Sequence, residues 1–126
     1  QTDTLTLEVF DVALGNCVQI LNEPGRNNFY RRLGRVTVSQ SGKIIAAHIS
    51  GHEEKETLTR IWIFDGGKWK CVHTELNQDV MNVVFSEDEK TVTLVIVDRS
   101  NSDVETILTK TLNVWPVKWN ERFQVE

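Results

Sequence analysis

Proline and cysteine are scarce in this 126-residue chain, at two each, and methionine and tyrosine occur once apiece. Two cysteines, Cys17 and Cys71, cannot build a dense disulfide framework, and they lack the close Cys-x-x-Cys spacing of a metal clamp. They read as reduced, half-buried small hydrophobes of an intracellular protein, cytoplasmic or nuclear. Long apolar runs are also missing. The longest, such as Val92 to Val97, is interrupted by Thr93 and falls well short of the roughly 20 residues a membrane-spanning helix needs. Positive charge is not in excess: the formal net charge is -4, which gives no broad basic field for a nucleic acid or a membrane surface. Neither Gly-x-Ser-x-Gly nor a glycine-rich phosphate loop occurs. The three histidines, His48, His52 and His73, have no metal-ligand spacing and read as structural or surface residues. No catalytic residue, metal or cofactor is therefore expected. No signal peptide is expected either, and a start at Gln1 rather than methionine suggests a processed or excised segment.

What the chain has in quantity is alternation of period two, the signature of half-buried strands. Strands are predicted at 5–10, 17–21, 35–39, 43–49, 58–64, 69–75, 80–85, 91–97, 106–115 and 119–125. The segments between them carry turn chemistry: Ser41-Gly42, Asp65-Gly66-Gly67, Ser86-Glu87-Asp88-Glu89 and Ser100-Asn101-Ser102-Asp103. Many short strands joined by regular turns predict an all-β sandwich, barrel or propeller.

The pattern repeats. LEVFDVALGNCVQIL matches IWIFDGGKWKCVHTEL, with Phe10 and Phe64, Asp11 and Asp65, and Cys17 and Cys71 each 54 positions apart. LNVWPVKWNERFQVE is a weaker third copy, with Trp115 in the place of Phe64. A second motif occurs as RVTVSQSGKIIAA and as NVVFSEDEKTVTL, with Ser39 and Ser86 separated by 47. A supersecondary unit of about 50 residues lies at the long end of the range for propeller blades.

The order of an apolar strand, a Ser-x-x-Gly-Lys turn, a second strand, a loop, Ile-Trp-Ile-Phe-Asp, a turn and Lys-Cys-Val resembles a blade of the WD-repeat β-propeller family. The resemblance implies antiparallel four-stranded blades, about two and a half of them in this chain. Residues 1–22 would supply the two outer strands of an incomplete blade, 23–78 a complete blade and 79–126 another. The Trp-Asp pair of the family stands here as Phe10-Asp11, Phe64-Asp65 and Trp115-Pro116, and Gly51-His52 falls outside the family's usual place, so its buried histidine network is not carried over. The opening hairpin would need two inner strands from elsewhere, and an arc this short cannot close a ring of four to eight blades. A piece of a longer propeller is favoured over an oligomer that completes itself.

Among candidate binding residues the segment NEPGRNNFYRRLGR stands out, with Arg26, Arg31, Arg32 and Arg35 around Phe29 and Tyr30. Guanidinium forks beside aromatic rings suit carboxylates, phosphates or acidic peptides. On the blade reading this segment lies on the same face as Glu53, Glu54 and Glu56, which could equally be its internal partners. Asp11 and Asp65 repeat at equivalent turns, which favours architecture over catalysis. Trp62, Trp69, Trp115 and Trp119 are expected to fill the space between blades. The resulting expectation is a non-catalytic protein-interaction scaffold, with a protein partner or further blades as its contacts. The rivals are an RNA- or phosphate-binding propeller using Arg26 to Arg35, disfavoured by the acidic whole, and a propeller enzyme completed by missing blades.

Overall fold

A computed structural model describes residues 4–11, 15–24, 32–50, 57–100 and 103–114. Nine strands are found there, β1 Thr4–Asp11, β2 Asn16–Pro24, β3 Arg32–Val38, β4 Ile44–Ser50, β5 Leu58–Asp65, β6 Lys68–Leu76, β7 Asp79–Phe85, β8 Thr91–Asp98 and β9 Thr106–Asn113. They match the first nine predicted strands to within a few residues; the strand predicted at 119–125 lies outside the described residues. Every pairing is antiparallel between chain neighbours, giving a two-stranded sheet β1-β2, a four-stranded sheet β3-β4-β5-β6 and a three-stranded sheet β7-β8-β9. The chain is thus all-β and antiparallel, and among the described residues no helix is long and apolar enough to cross a membrane.

The sheets stack face to face. Side chains alternate across each strand, so β4 sends Ile45, Ala47 and Ile49 to one face and Ile44 and Ala46 to the other. The first set joins Leu21, Leu58 and Trp62 in a cluster with Leu7, Val9 and Ile20 of the hairpin. The second set joins Ile61 and Ile63 of β5 with Val80, Val92, Leu94, Ile96 and Val114 on the side of the three-stranded sheet. The four-stranded sheet is therefore the middle layer of three, which explains why β4 reads as a nearly continuous apolar run rather than a clean alternation. Trp62, 3% exposed, fills the hairpin-side interface as expected.

The repeat extends to individual hydrogen bonds. In the turn after β3, Ser39 N donates to Ile44 O at 2.9 Å, Gly42 N to Ser39 O at 2.9 Å and Ile44 N to Ser39 Oγ at 3.1 Å. In the turn after β7, Ser86 N donates to Thr91 O at 3.0 Å, Glu89 N to Ser86 O at 2.9 Å and Thr91 N to Ser86 Oγ at 3.1 Å. Gly42 and Glu89 both have positive φ, 81° and 59°. The two turns also touch: Ser41 donates its N–H and hydroxyl to the Glu89 carboxylate at 2.9 and 2.5 Å.

Two proposed equivalences are corrected by the register. Phe10 lies opposite Cys17, whereas Phe64 lies opposite Trp69 and Cys71 lies opposite Trp62. The β1–β2 connection is two residues longer than Gly66-Gly67, so Cys17 corresponds to Trp69 and the equal spacing of the cysteines is coincidental. Both thiols are exposed rather than half-buried. Likewise Val114 N donates to Lys90 O as Phe64 N donates to Lys43 O. Val114, not Trp115, therefore holds the place of Phe64.

Candidate functional site

The edge strands β3 and β7 each carry one extra residue relative to their partners. In β3 the break falls between Leu33 and Val36, in β7 between Val80 and Asn82. Such bulges bend a strand and re-aim its side chains. Arg35 leaves the β3 bulge and its guanidinium donates to the carbonyl of Met81 in the β7 bulge, tying the two sheets together. Beside it, Gly34 makes room for His48: a Cβ at position 34 would lie 3.2 Å from the His48 carbonyl oxygen and 3.4 Å from its Cδ2. His48 Nδ1 is 3.3 Å from the hydroxyl of Thr59, which is 1% exposed.

The far wall comes from the three-stranded sheet. Arg99, just past β8, donates to Asp79 at the start of β7 and, through Nε, to Glu105 Oε2 at 3.1 Å. These groups enclose a cleft of about 570 Å³ between the middle and three-stranded sheets, lined by Arg35, Thr37, His48, Asp79, Met81 and Arg99 among others. Loss of water lowers the His48 pKa, with Asp79 opposing and Arg35 reinforcing the shift. The Arg99 guanidinium is matched by two carboxylates. Arg35 is held by a backbone carbonyl, which leaves its charge available to a carboxylate or phosphate entering the cleft.

A second polar link between the same two sheets joins their other edge strands, β6 and β9. Glu75 of β6, 8% exposed, accepts from His73 Nε2 at 2.7 Å and from Lys110 Nζ of β9 at 3.1 and 3.4 Å. Burial raises its pKa, but the hydrogen bonds from His73 and Lys110 outweigh that and hold it below the ordinary value of 4.5. Cys71 and His73 point to opposite faces, because Val72 is bulged between them, and not to the same face as a regular strand would place them. Loss of water, then the neighbouring Glu8 carboxylate, pushes the Cys17 thiol up. Among the described residues no group of three or more His, Cys, Asp or Glu side chains could hold a metal ion.

Of the predicted binding residues, Arg26, Phe29, Tyr30 and Arg31 lie outside the described residues. Arg32 opens β3 opposite Ser50, and Arg35 sits on the cleft rim. Of the repeat positions, Phe10 is 64% exposed, while Phe64 packs on Trp69 with ring centroids 5.3 Å apart. Asp11 ends β1 opposite Asn16, and Asp65 ends β5 opposite Lys68 with Lys70 Nζ at 3.6 Å. Trp115 lies outside the described residues. Sequence reasoning missed His48, Asp79 and Arg99 as site residues. The available signal was departure from the repeat: Gly34, Arg35 and His48 correspond to Met81, Asn82 and Val95 in the next sheet.

The chain matches no protein-family model, and searches of curated proteins and of solved structures found no match.

Proposed function

We propose that this chain is a non-catalytic protein-interaction scaffold, a segment of a WD-repeat-like β-propeller, whose partners dock at the end of the stack that carries the Arg35 cleft. The carrying observation is that Gly34, Arg35 and His48 depart from a repeat whose turns after β3 and β7 match in three hydrogen bonds. Architecture accounts for positions that recur; an exposed arginine beside a half-buried histidine, neither of which recurs, fits recognition. Face-to-face sheets with bulges in equivalent strands support the propeller reading. The start of β3 and the ends of β4, β6 and β8 lie at this end of the stack, so connections from several sheets can contribute to one contact surface.

The test is affinity capture followed by titration of the captured partner against the wild-type chain, Arg35→Glu and Lys43→Glu, the last in the turn at the opposite end. Arg35→Glu should weaken binding at least about tenfold, the equivalent of roughly 1.4 kcal/mol, and Lys43→Glu should leave it unchanged. Equal loss from both variants, or no saturable partner, would overturn the reading. Binding of RNA whose affinity falls steeply with salt and is lost in Arg31→Ala/Arg32→Ala would replace it with the nucleic-acid alternative.

A further inference from the structure

The Arg35 cleft has two poles. On the β3 wall stands one cation, Arg35, which engages the Met81 carbonyl through Nη1 alone. Its Nε and Nη2 groups have no acceptor among the described residues, and neither does the hydroxyl of Thr37 on the same wall. On the other wall Arg99 binds two carboxylates by one oxygen each, Asp79 Oδ2 through Nη1 and Glu105 Oε2 through Nε. One cation against two anions leaves that wall net negative. Asp79 Oδ1 and Glu105 Oε1 accept no hydrogen bond among the described residues. These four are the charged side chains that line the cleft there. Arg35 and Asp79 act on His48 in opposite directions, so both poles lie within electrostatic reach of one ring.

A ligand of one sign gains at one pole and loses at the other; a ligand carrying both signs gains at both. A phosphate group, with its higher negative charge, would meet the stronger repulsion from Asp79 and Glu105. The rim residues Arg35, Met81, Arg99 and Glu105 are exposed, so a chain can lie across the opening and lower its side chains into the cleft. Ile107, also lining it, is 55% exposed and offers apolar surface to the methylene stem of a lysine or arginine.

We infer that the cleft binds a partner segment that presents an acidic and a basic side chain together, the carboxylate on Arg35 and the cation on Asp79 and Glu105. This rests on the reading of the cleft as a docking site and adds the chemistry of its occupant. In an extended segment, residues two apart share a face and suit such a pair.

The probe is the acetylated, amidated peptide Gly-Glu-Gly-Lys-Gly, titrated against the full chain by amide NMR shifts, with one control in which Gln replaces its Glu and one in which norleucine replaces its Lys. The parent peptide should bind saturably, and each control should bind at least about threefold more weakly. Glu105→Gln should weaken the parent peptide and spare the norleucine control; Arg35→Gln should weaken the parent and spare the Gln control. Melting temperatures identify any variant that fails to fold, and Glu105, exposed at the rim, is the safer of the two substitutions. No saturation at millimolar peptide, or controls that bind as well as the parent, would overturn the inference. Free glutamate or free lysine binding as tightly as the peptide would overturn it in favour of a small-molecule site. With a captured partner, loss of binding in Arg35→Glu but none in Glu105→Gln would overturn this inference and leave the scaffold reading standing. Peptide binding with the assigned pairing supports the inference whether or not capture yields a partner, so the two readings fail separately.

Discussion

Ser39 is buried and its hydroxyl is the acceptor for the Ile44 amide, where β4 enters the core; Ser86 does the same for Thr91 in a more open setting. Removing the acceptor leaves a buried N–H unsatisfied, at a cost of about 1–3 kcal/mol. Ser39→Ala should therefore lower the denaturation midpoint more than Ser86→Ala, with the denaturant slope unchanged in both. Glu75 makes a pH-dependent contribution of definite sign. Its folded pKa lies below the ordinary 4.5, so the stability it confers is fully present above that value and is lost as pH falls through the depressed one. Glu75→Gln should flatten this acid limb in urea titrations run from neutral pH downward. His48 was not legible as a site residue, because a lone histidine in a strand has no sequence signature. Its significance comes from a glycine 14 positions earlier and from Asp79 and Arg99 on another sheet, none of which local spacing could bring together.

Individual strands were easy to read because alternation survives and turn residues punctuate them; β8 is a clear example, with Val92, Leu94 and Ile96 buried between less buried neighbours. Equivalence between strands was harder. The cysteines kept a common spacing while the turn before them changed length, and only the pairing of Phe10 with Cys17 and of Phe64 with Trp69 separates coincidence from homology of place. Comparing equivalent strands also ranks substitutions. Ile61 faces the interface between the middle and three-stranded sheets and is fully buried, while its counterpart Thr111 faces outward and shares a hydroxyl contact of 2.9 Å with Thr93. Ile61→Ala should cost about 2–5 kcal/mol through lost burial and the cavity left behind. Thr111→Ala should stay within about 0.5 kcal/mol. Chemical denaturation of the two variants side by side checks the difference.

At the scale of the whole molecule the three layers differ in how many neighbours they have. Among the described residues the middle sheet is covered on both faces and the hairpin on one, so local opening should be graded. Native-state hydrogen exchange should find the amides of β4 and β5 the slowest and those of β1 and β2 the fastest. Uniform protection across all three sheets would show instead that the stack opens as a single unit. The overall all-β architecture was legible in composition and period, whereas the cleft depends on how two bulged strands meet across a sheet interface and has no linear signature.

The matched turns at Ser39–Lys43 and Ser86–Lys90 have a consequence for how such a chain can grow. Since the two turns share their hydrogen bonds and lie 47 residues apart, a gene spliced from one turn to the other would insert a 47-residue cassette without altering any strand pairing. In the lengthened protein the added layer would set Ile45, Ala47 and Ile49 against its predecessor, where Val92, Leu94 and Ile96 now lie. The turn thus acts as a reading frame for duplication, and the number of layers becomes a heritable variable that changes in whole steps.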